Sequence, residues 1–168
     1  MVGHCGESRF VNPHFRDMLA VLSAEKAEFL IVGAYALGVH GLLRFTGDLD
    51  IWVCPTPENA ARVWRALVRF PAPLEFMKVE DFCNPDVIFR MGLPPNQIDI
   101  LMSISGVSFD EAWTNRVQGE MEGVPVFAIG VQDQIQNKRA SARPKDIIDA
   151  EWLVRHKLGN QAPPEKID

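Results

Sequence analysis

The chain of 168 residues lacks the sequence features that mark several classes of protein. It has only three cysteines, Cys5, Cys54 and Cys83, and neither a CxxC pair nor an HExxH motif. This argues against a zinc ribbon, a disulfide framework and a zincin-type metal site. No apolar run approaches the roughly 20 residues of a membrane span, and Met1–Phe10 lacks the basic start and apolar stretch of a signal peptide. We therefore expect a cytoplasmic protein with no membrane contact.

Basic residues are also fewer than acidic ones. The chain has 17 Lys and Arg against 22 Asp and Glu, a formal net charge of −5, so any contact with nucleic acid is expected to be local. The composition is otherwise that of a globular protein, 47% hydrophobic and 23% charged. The sequence shows no repeat, low-complexity tract or Ser/Gly linker. It predicts a single domain over residues 1–168, with a core at about 12–130 and C-terminal helices at about 131–159.

Capping residues and apolar spacing predict the helices. Asn12-Pro13 opens a helix that ends near Lys26, and Thr56-Pro57-Glu58 opens another, with a buried stripe that includes Val68. Ser108-Phe109-Asp110-Glu111 is a capping box, which predicts a helix to about Arg116. The remaining helical segments are expected at Ala34–His40, from Val131, and from about Pro144 to a cap at Gly159.

Short runs of strand-forming residues lie between these helices. Strands are predicted at Phe29–Val32, Asp48–Val53, Leu74–Val79, Val87–Met91, Gln97–Met102 and Val124–Ile129. Gly119 and Gly123 are expected to flank a polar turn. Helices interspersed with strands predict an α/β or α+β fold, with a mixed β-sheet flanked by helices and a short C-terminal helical appendage.

Three aspartates form the candidate chemical centre. Asp48 and Asp50 are two residues apart in a strand, so their carboxylates point to the same side, and Asp99 lies in an apolar strand where it needs a compensating cation. If the two strands are neighbours, the acids form an all-oxygen site suited to Mg²⁺. The alternatives are structural: Asp48 capping a turn, Asp50 paired with Arg44, and Asp99 bonded to backbone amides.

Two further segments have both a phosphate-binding and a structural interpretation. Gly33-Ala34 lies where a strand gives way to a helix, which favours either a phosphate site or a tight packing turn. Four basic residues near the C-terminus favour either phosphate binding or a solvated face: Lys138, Arg139, Arg143 and Lys145. Asp146 and Asp149 are explained as favourable charges near a helix N-terminus.

These residues together resemble a known signature. The block Phe29–Leu37, followed by His40-Gly41, Arg44, Thr46 and Asp48-Leu49-Asp50-Ile51, is similar to the glycine turn, helix and Asp-x-Asp strand of the polymerase-β-type nucleotidyltransferase superfamily. Ile98-Asp99-Ile100 resembles its third acidic strand. The run from Lys138 to Asp149 resembles the helical segment of small stand-alone bacterial members, including abortive-infection toxins. The resemblance spans about residues 28–153.

The resemblance implies the nucleotidyltransferase fold and the transfer of a nucleoside monophosphate from an NTP to an acceptor hydroxyl, with release of pyrophosphate. Asp48 and Asp50 would hold two Mg²⁺ ions, with Mn²⁺ as the alternative metal, and Asp99 would ligate one ion and help to deprotonate the acceptor. The nucleotide-binding residues implied in this way are Gly33, Ala34, Arg44, Thr46 and Lys138.

Other functions remain open from the sequence. One is a nucleotide-binding or protein-interaction module with little catalysis. Another is the toxin of a toxin–antitoxin pair, with RNA or an antitoxin protein as its partner. The acceptor, whether a small molecule, RNA or protein, is not defined by the sequence.

Overall fold

The helices of the computed structural model begin and end close to the predicted residues. The structure describes residues 12–44 and 46–159, so Cys5 and the Met1–Phe10 segment lie outside the described residues. Within the described ranges the α-helices are α1 Pro13–Ala24, α2 Gly33–Val39, α3 Pro57–Arg69, α4 Phe109–Thr114, α5 Val131–Ser141 and α6 Pro144–Leu153. A 3₁₀ helix at Val79–Cys83 and a π-helical turn at Val154–Leu158, capped by Gly159, complete the helical segments. None of the described helices is long and apolar enough to cross a membrane.

The strands form one mixed sheet. They are β1 Phe29–Val32, β2 Asp48–Val53, β3 Ile88–Met91, β4 Gln97–Leu101, β5 Val117–Met121 and β6 Val124–Ala128. Their order across the sheet is β3-β4-β2-β1-β6-β5. The pairs β2–β4 and β1–β6 are parallel, and the other neighbours are antiparallel. The expected mixed sheet flanked by helices is therefore confirmed.

The two faces of the sheet differ in polarity at β2. Leu49 and Ile51 are fully buried in the apolar core, and Asp48 and Asp50 alternate with them on the opposite face. Helices cover the apolar face: Phe82 of the 3₁₀ helix packs edge-on against Phe89 of β3 and against Trp64 of α3. The acid-bearing face is left partly open, and this is where a ligand can reach the sheet.

Helices α5 and α6 pack on α2 rather than forming a separate unit. A small apolar cluster joins the three helices through Leu37, Ile135, Ala150 and Leu153. The buried His40, at the end of α2, also donates from Nε2 to the backbone oxygen of Ile129 at 2.8 Å. This packing brings the basic residues of α5 and α6 next to the turn between β1 and α2.

Three local predictions are wrong. Residues 74–78 form a turn that leads into the 3₁₀ helix at Val79 and pair with no strand of the described sheet. Phe76 therefore has no sheet face to pack on and is 97% exposed. Residues 117–121 are strand β5 rather than part of a turn; the turn is confined to Glu122-Gly123, both at positive φ, as in a two-residue hairpin. Val68 is 55% exposed and lies outside the buried stripe of α3.

Candidate functional site

The sheet register brings the three aspartates together. Parallel pairing of β2 with β4 sets Asp50 directly opposite Asp99, and Asp48 lies two residues earlier on the same face. One oxygen from each carboxylate lies within 4.8 Å of the other two. This spacing places three hard oxygen donors in reach of a single divalent cation.

Asp99 has the cationic partner that its burial requires. Arg90 lies opposite it on β3 and donates to both of its oxygens, Nε to Oδ1 at 2.9 Å and Nη2 to Oδ2 at 3.0 Å. The Gln97 amide donates to the same two atoms at 3.1 and 3.3 Å. The sequence indicated the need for a cation but did not identify Arg90. The available signal was its position as the one charged residue among Ile88–Met91.

Burial and like charge act on Asp50. Desolvation, together with the neighbouring carboxylates of Asp48 and Asp99, raises the pKa of Asp50 to about 7, although Lys138 and Arg90 oppose the shift. The raised pKa means that ionisation of Asp50 costs free energy when no cation is bound. A bound cation would remove that cost. Asp50 is not paired with Arg44, so the structural alternative for this residue is wrong.

The turn between β1 and α2 packs directly against Asp50. Gly33 has φ +67°, and a Cβ at this position would overlap Oδ2 of Asp50. Its carbonyl accepts a hydrogen bond from Nε2 of the buried Gln134 at 3.1 Å. Glycine is therefore required here both by backbone conformation and by close approach. Sequence reasoning had predicted the turn but missed Gln134.

A cleft of about 240 Å³ opens beside Asp48 and Asp50. Its wall includes all the residues predicted to bind nucleotide, namely Gly33, Ala34, Arg44, Thr46 and Lys138. Arg143 and Lys145 also line it, whereas Asp99 does not. Thr46 Oγ1 donates to Oδ1 of Asp48 at 2.8 Å, so this hydroxyl orients a carboxylate. The cleft thus has carboxylates at one side and basic groups at the other.

Two buried aspartates, Asp146 and Asp149, offset part of the positive charge on the basic side of the cleft. Lys138 Nζ lies 3.1 Å from Asp146 and 3.5 Å from Asp149, and Arg44 forms an ion pair with Asp149. Asp149 is fully buried in the middle of α6, so its interpretation as a charge near a helix N-terminus is wrong. Among the described residues no hydrogen-bond donor meets its Oδ2, which lies 3.5 Å from Nζ of Lys138. Asp149 therefore links the loop after α2 to α5.

Asp146 is held in its charged form by its neighbours. Burial alone would raise the pKa of Asp146, but hydrogen bonds from Ser141, Arg143 and Lys138 outweigh it and lower the pKa to about 2. Arg143 Nε and Ser141 Oγ each lie 2.6 Å from Oδ2. Asp146 does lie in the first turn of α6, as expected, but ion pairs and hydrogen bonds dominate its surroundings. Among the four basic residues, Lys138 is buried and Arg139 is exposed.

We expect Lys138→Met to lower the free energy of unfolding by about 3 kcal/mol, because it leaves Asp146 and Asp149 buried with fewer compensating charges. Urea unfolding at pH 7 measures this. Arg139→Met is the matched control on the same helix; its exposed side chain should change stability by no more than about 0.5 kcal/mol. Equal effects of the two substitutions would contradict the buried network.

Comparison with solved structures identifies the fold. No family model matches the chain, and no curated protein matches it. A crystal structure of a candidate nucleotidyltransferase from Thermotoga maritima superimposes with a TM-score of 0.53 at 16% sequence identity, covering 88% of this chain and 91% of that one. The chain therefore has a nucleotidyltransferase-like fold, as the sequence predicted.

Proposed function

We propose that this protein is a metal-dependent nucleotidyltransferase, which moves a nucleoside monophosphate from an NTP to an acceptor hydroxyl and releases pyrophosphate. The observation that carries the proposal is the convergence of Asp48, Asp50 and Asp99 within 4.8 Å at the edge of a cleft lined by basic residues. Phosphoryl transfer depends chiefly on positioning and charge neutralisation, and both parts are present in this arrangement. The likeness in fold supports the same class of reaction.

The carboxylates fit a magnesium site by their chemistry. All three donors are oxygens, which Mg²⁺ prefers. Burial, together with repulsion by the other two carboxylates, raises the pKa of Asp50, so the site favours a divalent cation. We assign Asp48 and Asp50 to two ions, and Asp99 to one of them. Bound Mg²⁺, or Mn²⁺ in its place, would neutralise phosphate charge and lower the pKa of the attacking hydroxyl.

The remaining groups of the site act on the nucleotide and the acceptor. Gly33 and the amide of Ala34 border the triphosphate, because the turn brings backbone close to Asp50 without a side chain. Arg44, Lys138, Arg143 and Lys145 supply positive charge along the cleft. Thr46 holds the Asp48 carboxylate in orientation. Asp99 would help to deprotonate the acceptor hydroxyl.

Calorimetric titration of each of the four NTPs, with and without Mg²⁺, tests the nucleotide site. We expect binding that requires the metal and is lost in the Asp48→Ala/Asp50→Ala variant, because two of the three metal-binding carboxylates are then gone. The preferred base follows from the four affinities, and transfer of labelled nucleoside monophosphate to candidate acceptors then tests turnover.

The control for these titrations is Asp86→Asn, an exposed aspartate outside the cleft, which should bind NTP as the unmodified protein does. Absence of NTP binding under all conditions would contradict the proposal. Metal-dependent NTP binding without transfer to any acceptor would favour a nucleotide-binding module over an enzyme.

A further inference from the structure

The hydrogen bonds at Asp99 leave no free position for a metal ion. An ionised carboxylate offers about four lone-pair positions, two on each oxygen. At Asp99 each oxygen accepts one bond from Arg90, and each also accepts a contact from Nε2 of Gln97. The Asp99 side chain is itself only 5% exposed. Asp99 can therefore ligate an ion only if one of its two partners withdraws.

Arg90 is the partner that a cation would displace. Its charge repels an incoming divalent ion, whereas the Gln97 amide is neutral and shares one nitrogen between the two oxygens at 3.1 and 3.3 Å. Arg90 can also move into solvent, because its side chain is 61% exposed and β3 is an edge strand of the sheet. In solvent its guanidinium would be hydrated rather than buried without a partner.

We propose that Arg90 and a divalent cation exclude each other at Asp99, so that Arg90 acts as a latch on the third carboxylate of the site. The inference rests on the proposed function, since it presumes a metal held by the three aspartates. In the protein alone the latch keeps Asp99 bonded to Arg90, and only Asp48 and Asp50 are free to receive an ion. Arg90 is thus a positioning residue, because it acts through Asp99.

The test is a double-mutant cycle on Mn²⁺ affinity, measured by electron paramagnetic resonance of free Mn²⁺. The four proteins are the unmodified chain, Arg90→Gln, Asp99→Asn and the double variant. We expect Arg90→Gln to tighten Mn²⁺ binding by about fivefold or more, because the ion then no longer has to displace Arg90 from Asp99. In the Asp99→Asn background the same substitution should change the affinity by less than about twofold.

The cycle separates a latch from a simple effect of charge. Removal of a positive charge near the site would tighten Mn²⁺ binding equally with and without the Asp99 carboxylate, and equal effects would overturn the latch while leaving the metal site intact. No change on Arg90→Gln in the otherwise unmodified chain would overturn it as well. Absence of Mn²⁺ binding in all four proteins would overturn the latch and the proposed function together.

Arg90→Lys is a second variant, in case Arg90→Gln destabilises the fold. Lysine keeps the positive charge but cannot form the two parallel bonds of the guanidinium, so it frees a position on Asp99. We expect a gain in Mn²⁺ affinity smaller than that of Arg90→Gln. Unchanged affinity in Arg90→Lys, with folding verified by circular dichroism, would contradict the latch.

Discussion

Replacing Asp50 with asparagine is expected to reduce nucleotidyl transfer by a factor on the order of 10³ and to make the metal-free protein more stable at pH 8. The loss of activity follows from removal of a central metal-binding carboxylate. The gain in stability follows from the pKa of about 7, because Asp50 is ionised at pH 8 in a site that disfavours its charge. The gain should be on the order of 2 to 4 kcal/mol.

The dependence of stability on pH has a definite sign. Between the ordinary aspartate pKa of 3.8 and the raised pKa of about 7, the folded state binds more protons at Asp50 than the unfolded state does. The contribution of this group to stability therefore falls as pH rises through that window. Above about pH 7 the penalty is complete. Urea unfolding of the metal-free protein from pH 4 to pH 8 should show the decline, and Asp50→Asn should remove that part of it.

The control for this substitution is Asp86→Asn, at an exposed position away from the site. It should leave both activity and the pH profile of unfolding unchanged. Full transfer activity in Asp50→Asn would contradict the assignment of the metal site. A profile that keeps the entire decline would contradict the raised pKa.

Alanine at position 33 is expected to damage both stability and nucleotide binding. A left-handed backbone conformation costs a residue with a Cβ about 1 to 2 kcal/mol. The added Cβ would also overlap Oδ2 of Asp50. We expect Gly33→Ala to lower the free energy of unfolding by about 2 to 4 kcal/mol in total, and to weaken metal-dependent NTP binding about tenfold or more through displacement of the carboxylate. Thermal unfolding and calorimetry measure the two effects.

The matched control is Gly38→Ala in the same helix, α2. The nearest atom to a Cβ there is Cδ2 of Leu43 at 4.0 Å, which is ordinary contact. Alanine has the higher helix propensity, so this variant should be unchanged or more stable by up to about 1 kcal/mol. If Gly33→Ala behaved like Gly38→Ala, the close approach of the turn to Asp50 would not matter for the site.

The elements that the sequence predicted best have local signals. Asn12 and Thr56 accept bonds from the first turns of α1 and α3, as their position before proline indicates. Strands β1 and β2 begin and end at the predicted residues. Strand β5 was not predicted, because Gly119 is a residue type typical of turns and the sequence does not reveal the partner strand β6. Residues 74–79, in which Glu75 and Lys78 stand among four apolar residues, were mistaken for a strand because such a pattern does not specify whether a partner strand is available.

The sequence by itself determined that Asp48 and Asp50 share one face, that Asp99 needs a cation, and that Gly33 ends a strand, because side-chain alternation and desolvation act within a few residues. Tertiary structure alone decided the rest. Strand order placed Asp99 beside Asp50 and Arg90 against Asp99, and helix packing placed Asp149 between Arg44 and Lys138. These pairings join residues distant along the chain, and the register and packing that select them depend on the whole core.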